Sequence, residues 1–241
     1  MLVAEVRRIA GRRGSYWSAI ALGFAAVVLL IIFRLTGDEE PGGKLMLDAM
    51  GPISLVATIM TILFGALAGS YDTAQGTMRY LVMTGVPRRR LYATRLAGMA
   101  IATVISCAPA IALGVAGAFL CSHSGTNDPS LADVPGAIWA YLALPLVFGL
   151  VSVGVGSLLR SNGAAIGVSL AFALGGSVLT ALFANYVSES AAGYLLPAAA
   201  PVVASLQGDS HISLGAAFAA VAVWLAAFVY AGLWRTLHDE Y

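Results

Sequence analysis

Few residues in this chain have the type and spacing that metal binding or redox chemistry requires. The three histidines, His123, His211 and His238, lie in different segments, and none has a second ligand-type residue at metal-site spacing. Cys107 and Cys121 are 14 residues apart on one predicted helix. That spacing is about 21 Å along the axis, too far for a disulfide. The sequence therefore predicts no metal site, and the cysteines are interpreted as small apolar residues.

Nucleotide chemistry and hydrolysis are not expected in this chain either. Gly-Gly-Lys at 42–44 contains the single lysine of the sequence, but Asp38 stands where a phosphate-binding loop needs its first glycine. Serines in the apolar stretches, such as Ser106 and Ser152, have no obvious base partner and are interpreted as hydrogen-bonding groups between helices. We therefore expect no enzymatic activity here, and any use of ATP would need another polypeptide.

The most informative polar residues lie between two apolar stretches, at 69–95. Asp72 can cap a helix that begins directly after it, over about 73–84. Gly85 and Pro87 would end that helix, since glycine favours the left-handed cap and proline cannot continue a helix. The pattern predicts a short, rigid helix held against one face of the membrane.

Membrane-spanning helices must position this segment. The chain is 59% hydrophobic and only 10% charged, whereas soluble domains carry about 25% charged residues. Uncharged stretches long enough to cross a bilayer alternate with short charged clusters, and lipid favours helices because every backbone group is paired internally. We predict an all-α membrane protein with six transmembrane helices, at about 15–35, 50–70, 96–120, 137–159, 163–184 and 213–234.

One further uncharged window, between the fifth and sixth spans, is not counted as a seventh. Its apolar part, 194–206, has 13 residues and is interrupted by Pro197 and Pro201. We expect the segment 185–212 to be re-entrant or interfacial on the outer side. The chain then forms a single transmembrane domain over 1–241.

The arginines set the expected orientation. With six spans and both termini in the cytoplasm, 11 arginines fall on the inner side, against Arg34 and Lys44 outside. Several of them are expected among the lipid headgroups: Arg12, Arg13, Arg88, Arg89, Arg90 and Arg95. The net charge of +1 gives no sign of a nucleic-acid partner.

The stretch 1–14 has an amphipathic pattern. Glu5, Arg8 and Arg12 lie opposite an apolar face, which is typical of a helix on the inner membrane surface. The alternative is a basic flank that only orients the first span.

The predicted spans contain no Asp, Glu, Lys or His. Proton-coupled transporters usually carry ionisable residues at membrane depth, so this class is disfavoured. Small residues recur instead, four apart, at Ser152 and Gly156 and at Gly163 and Gly167. This spacing allows close helix packing, either within one subunit or against a second copy.

The 69–95 segment resembles the first cytoplasmic loop of type-two ATP-binding-cassette (ABC) exporter permeases. The shared pattern is an acid, then Gly-Thr-x-Arg, an apolar pair, and a turn with Pro and Arg, here Asp72, Gly76, Thr77, Arg79, Leu81, Val82, Gly85, Pro87 and Arg88. The family usually has Glu where this chain has Asp72, and Lys where the third span opens with Arg95. The opening residues at 5–17 are similar to the family's N-terminal surface helix.

The resemblance implies a half-transporter of a bacterial inner membrane. Two permease copies, identical or different, would form the pathway among membrane lipids, and two separate ATPase subunits would hold ATP and Mg. The 73–84 helix would couple to the ATPase, braced by the N-terminal helix, through Asp72, Gly76, Thr77, Arg79, Tyr80, Leu81, Glu5 and Arg8. The second and fifth spans would line the pathway, with Thr58, Thr61, Phe64, Phe172, Ser177 and Thr180.

Such a lining suits an amphipathic small molecule, peptide or lipid moved outward. Two other classes stay open at this point. One is an ATP-independent carrier or channel. The other is a non-transporting accessory or immunity subunit.

Overall fold

The described part of the chain contains α-helices joined by short turns, and no strands. The computed structural model describes residues 42–76, 83, 85–121, 130–206 and 212–238, with backbone only at 42–52 and 120–121, and isolated residues of the predicted first span. Its helices are α1 (Gly42–Ala74), α2 (Arg88–Cys121), α3 (Val134–Leu159), α4 (Asn162–Leu174), α5 (Gly176–Tyr186), α6 (Glu189–Ala192), α7 (Leu196–Ser205) and α8 (Leu214–His238). An all-α chain is therefore confirmed for these residues.

Within the described residues, four helices are long and apolar enough to cross a membrane: Ile53–Ala74 of α1, Arg88–Phe119 of α2, α3 and α8. α4 and α5 pass the same test as a pair, bent by 54° between them, which makes up to five spans. These five correspond to the second to sixth predicted spans. The predicted first span lies outside the described residues, apart from five helical positions, Ala21, Phe24, Ala25, Val28 and Ile32. The count of six stays a prediction.

The α3 helix lies at the centre of the described bundle and contacts α1, α2, α4, α7 and α8. Glycines allow the closest approaches. A Cβ atom on Gly156 would lie 2.5 Å from the Ala66 carbonyl oxygen of α1, and one on Gly154 would lie 2.5 Å from the Phe228 carbonyl oxygen of α8. Ser152 packs in the same interface, beside Gly65. For Ser152 and Gly156, packing within the subunit is therefore confirmed.

Gly163 and Gly167 behave differently. A Cβ atom added at either position would meet no described atom within 4 Å. This pair on α4 therefore does not pack within the described part of the subunit, although its spacing is the same as that of Ser152 and Gly156.

The α7 helix forms a buried plug and is too short to cross a membrane by itself. Its ten residues extend about 15 Å, half of the hydrocarbon thickness. Leu196 and Ala199 are completely buried, in a core shared with α3 and α8. The length of α7 agrees with the prediction that 194–206 is not a seventh span. Pro197 lies in the first turn, where its missing N–H leaves no hydrogen bond unmade.

Two tryptophans fix α7 at both ends. The Trp139 indole N–H, on α3, donates to the Val203 carbonyl at 2.8 Å. The Trp224 indole N–H, on α8, donates to the Tyr194 carbonyl at 3.0 Å. The Val203 carbonyl is one of the last four of its helix, which have no partner inside the helix. Trp139 therefore satisfies a buried acceptor that the short helix would otherwise leave unpaired.

Replacing Trp139 with phenylalanine is expected to keep the ring against Phe218 but leave the Val203 carbonyl unpaired. The expected loss of unfolding free energy is about 1–3 kcal/mol. Faster hydrogen–deuterium exchange at 196–206 would report the local loosening. Trp234→Phe is the matched control, because Trp234 is half exposed and contacts His238 at the other end of α8. Equal exchange in both variants would contradict the role of the Trp139 bond.

Candidate functional site at the arginine-rich end of the bundle

Five helix ends meet at one end of the bundle: the C-terminal ends of α1, α3 and α8 and the N-terminal ends of α2 and α4. Side chains tie these ends together. The Ser70 hydroxyl donates to the Asn162 side-chain oxygen at 2.7 Å and joins α1 to α4. The Arg88 guanidinium donates to the Leu237 carbonyl at 3.0 Å and joins α2 to α8.

All the arginines that the structure describes lie at this end: Arg88, Arg89, Arg90, Arg95, Arg160 and Arg235. The opposite end, where α3 begins, carries Asp133. Its carboxylate accepts hydrogen bonds from the Ser130 backbone N–H and hydroxyl, which hold the pKa of Asp133 below its usual range. The described arginines are therefore confined to one end of the bundle.

The central feature of the site is a buried ion pair between α1 and α2. Arg95 Nη2 lies 2.6 Å from Asp72 Oδ2. Only 4% of the arginine side chain and 11% of the aspartate side chain are exposed. Charges removed from water to this extent are stable only when each has a close partner of opposite sign. The pair joins the last turn of α1 to the first turns of α2. Asp72 and Arg95 therefore lie on either side of residues 73–94 and bring the two ends of this stretch together.

Two predictions about these residues are wrong. Asp72 does not cap a helix that begins after it, because α1 continues to Ala74. The carboxylate of Asp72 is instead bound by Arg95. Arg95 does not reach the headgroups, because its side chain is buried against α1. The sequence pattern gave both charges a solvent-facing role. The helix packing instead turns them towards each other.

The remaining predicted surface arginines have mixed surroundings. Arg88 is half-buried and bound to the end of α8, whereas Arg89 and Arg90 are exposed at the start of α2. Arg12 and Arg13 lie outside the described residues.

The segment between α1 and α2 is described only at its ends. Gly76 turns the chain with a φ of +70°, and Gly85 does so with a φ of +76°. Both values lie in the left-handed region that glycine adopts without strain. Helical Met83 is followed by Gly85 and then by Pro87 before α2 begins, so the predicted stop at Gly85 and Pro87 is confirmed.

Most of the predicted ATPase contacts lie outside the described residues: Thr77, Arg79, Tyr80, Leu81, Glu5 and Arg8. Their docking role stays a prediction. Gly76 is exposed at the turn, and Asp72 is buried and can act on a partner only through the chain that follows it.

The three pathway residues predicted on α1 lie in helix contacts. Thr58 and Thr61 are 7% and 2% exposed. The Thr58 hydroxyl donates to the Ser54 carbonyl, and the Thr61 hydroxyl donates to the Pro145 carbonyl of α3 at 3.1 Å. The prediction that these two threonines line a pathway is wrong for this structure, because both are buried within the subunit and Thr61 binds α3. Phe64 is partly buried and packs on the α2 side of α1.

The three pathway residues predicted on the fifth span also lie in different surroundings. Phe172 packs between α4 and α8, with ring centroids 6.4 Å from Trp224 and 5.8 Å from Phe228. Ser177 is exposed, and the Thr180 hydroxyl donates to the Gly176 carbonyl in its own helix. The structure therefore does not bring the six predicted residues onto one surface.

Sequence reasoning missed the polar contacts that organise this end of the bundle. Ser70 and Asn162 each border an uncharged stretch, and polar residues at such borders often pair between helices. The described residues contain no group of three or more His, Cys, Asp or Glu that could hold a metal ion.

Comparisons with known proteins add no relative. No family model, curated protein or solved structure matches this chain. Its function must therefore be argued from its residues and their geometry.

Proposed function

We propose that this chain is the transmembrane permease subunit of an ATP-driven ABC exporter. The observation that carries the proposal is the Asp72–Arg95 ion pair. These are the acid and the base that the family resemblance singles out, 23 positions apart in the sequence, and they meet at the two ends of the loop that carries the motif. A loop anchored in this way is suited to receive force from a partner and to pass it to two spans at once.

The proposed topology has six spans with both termini in the cytoplasm of a bacterial cell. The clustering of the described arginines at one end supports this orientation, because Lys and Arg are enriched on the cytoplasmic side. The end with Asp133, together with the buried α7 plug, then faces outward.

In this proposal the chain supplies the membrane pathway and a partner supplies the energy. Two copies of the permease would assemble above two ATPase subunits, which bind ATP and Mg. Closure of the ATPases would push on the 73–84 region and switch the pathway from inward-open to outward-open. The cargo class is an amphipathic small molecule, peptide or lipid, since the predicted spans contain no acidic, lysine or histidine side chain for ion coupling.

Charge reversal at Arg79 tests the proposal. Native chain purified from its host membrane is expected to bring an ATPase with it, and Arg79→Glu is expected to reduce the ATP hydrolysis of that complex by removing an interface arginine. Arg89→Glu is the matched control, because Arg89 lies outside the docking motif and is exposed at the start of α2. Transport by the purified chain alone in liposomes, driven by an ion gradient, would instead favour an ATP-independent carrier.

A further inference from the structure

We infer that Asp72 and Arg95 are a positioning pair that makes α1 and α2 move as one unit when force reaches the segment between them. The inference rests on the proposed function and names the residues through which force enters the bundle. Neither residue needs to touch the ATPase or the cargo. Their role is to fix the position of the segment between α1 and α2, which is the part proposed to contact the ATPase.

The first argument is the position of the pair relative to the other contacts between α1 and α2. Those contacts are apolar: Ala57 shares a buried cluster with Ala110, and Ala68 shares one with Met99. Apolar contacts of this kind have no preferred direction, so they oppose separation of the helices more than sliding between them. The ion pair is directional, and it lies at the end of the interface nearest to the segment.

The second argument is the short distance along the chain from the pair to the turn. Asp72 is followed by two more residues of α1, and the chain then turns at Gly76. Since a helix is stiff over this length, the orientation of the last turn of α1 sets the direction in which the segment leaves the bundle. Arg95 holds that last turn against α2.

The third argument is that further hydrogen bonds near the ion pair connect α1 and α2 to neighbouring helices. Ser70, half a turn before Asp72, binds Asn162 at the start of α4. Arg88, two turns before Arg95, binds the last turn of α8. Displacement of the segment therefore has a connected polar route from α1 and α2 to α4 and α8, and α3 lies between them as the packed centre.

The first experiment uses the chain alone, at one copy per lipid nanodisc so that only distances within a chain are measured, and does not depend on an ATPase. Cys107 and Cys121 are replaced by alanine, and spin labels are placed at Met83 and Tyr230, which are 69% and 68% exposed. Pulsed electron paramagnetic resonance then measures the distance between the labels. We expect one narrow distance distribution in this background, because Met83 lies in the held segment and Tyr230 on α8.

Replacing the ion pair with an apolar pair, Asp72→Leu with Arg95→Met, is expected to broaden this distribution. The double substitution removes both charges of the pair together, so neither stays buried without the other, and the chain is expected to fold. The charge-swapped variant, Asp72→Arg with Arg95→Asp, is expected to restore the narrow distribution. Arg89→Met, which removes an exposed arginine from the same helix, is expected to leave it unchanged. An equally narrow distribution in the apolar variant would overturn the inference.

The second experiment uses the complex with its ATPase. A single label at Leu131, which is 81% exposed at the opposite end of the bundle, reports the distance between the two copies before and after trapping with ADP and vanadate. The apolar pair is expected to retain ATP hydrolysis but to weaken the coupling between nucleotide state and the Leu131 distance by about fivefold or more. A residue with a purely structural role would lower both readouts together.

The two experiments separate the possible failures. If the native chain binds no ATPase, the proposed function fails, while the distance distributions still decide whether the pair holds the segment. If the native complex couples nucleotide to the Leu131 distance and the apolar variant does so equally, the positioning role fails and the proposed function stands.

Discussion

Replacing Gly156 with alanine is expected to lower the free energy of unfolding by about 3 kcal/mol, at the upper end of the range for overpacked interiors. The new Cβ atom would lie 2.5 Å from the Ala66 carbonyl oxygen and 3.2 Å from backbone atoms of Gly69 and Ser70. Because these are backbone atoms, no rotamer change can relieve the overlap, and α1 and α3 must move apart. Equilibrium unfolding in mixed detergent–SDS micelles measures the loss.

Gly167→Ala, in the interior of α4, is the matched control for this prediction. It makes the same chemical change in a helix, but a Cβ atom there meets no described atom within 4 Å. Alanine is favoured over glycine inside a helix by about 1 kcal/mol, so stability should be unchanged or slightly higher. If both substitutions destabilise the protein equally, close packing of α1 on α3 is not the cause.

The second large effect is expected from Arg95→Met alone. This change leaves the Asp72 carboxylate buried without the guanidinium that lies 2.6 Å away in the native chain. Removing one partner of a buried ion pair typically costs about 3–5 kcal/mol, because the remaining charge is uncompensated. The same unfolding assay measures the loss, and Arg89→Met, on the exposed side of α2, is expected to change stability by no more than about 0.5 kcal/mol.

The double substitution Asp72→Leu with Arg95→Met distinguishes two quantities. One is the contribution of the intact ion pair to stability, and the other is the destabilisation caused by removing only one partner. Apolar side chains in place of a buried ion pair are often neutral or stabilising. We expect the double variant to regain most of the stability that Arg95→Met loses. If it remains as unstable as Arg95→Met, the loss comes from the packing of the long arginine side chain rather than from an Asp72 carboxylate buried without Arg95.

Local patterns determined much of the architecture. The uncharged stretches predicted five of the spans that the described residues support as four helices and one bent pair. Length and two prolines were enough to reject 194–206 as a span, and Gly85 with Pro87 marked the end of a helix. These features depend on a residue's own conformational preference or on its transfer from water to lipid, and both can be read one segment at a time.

Only the tertiary structure decided which face of each helix packs against its neighbours. A helix in lipid is apolar on every side, so its hydrophobic pattern does not tell which face meets another helix. Two pairs of small residues with the same spacing therefore differ in their packing. Gly156 packs against α1, whereas Gly163 meets no atom of the described chain within 4 Å of an added Cβ. Thr61 turned towards α3 for the same reason.

The sequence by itself thus determined that this is an all-α chain with long apolar helices and a polar, arginine-bearing segment between two of them. The tertiary structure decided that Asp72 and Arg95 meet, although 23 positions separate them in the chain. Burial of two opposite charges depends on the rotation and register of α1 and α2. Close contacts with α3 set the position of α1, and no local preference of either charged residue encodes it.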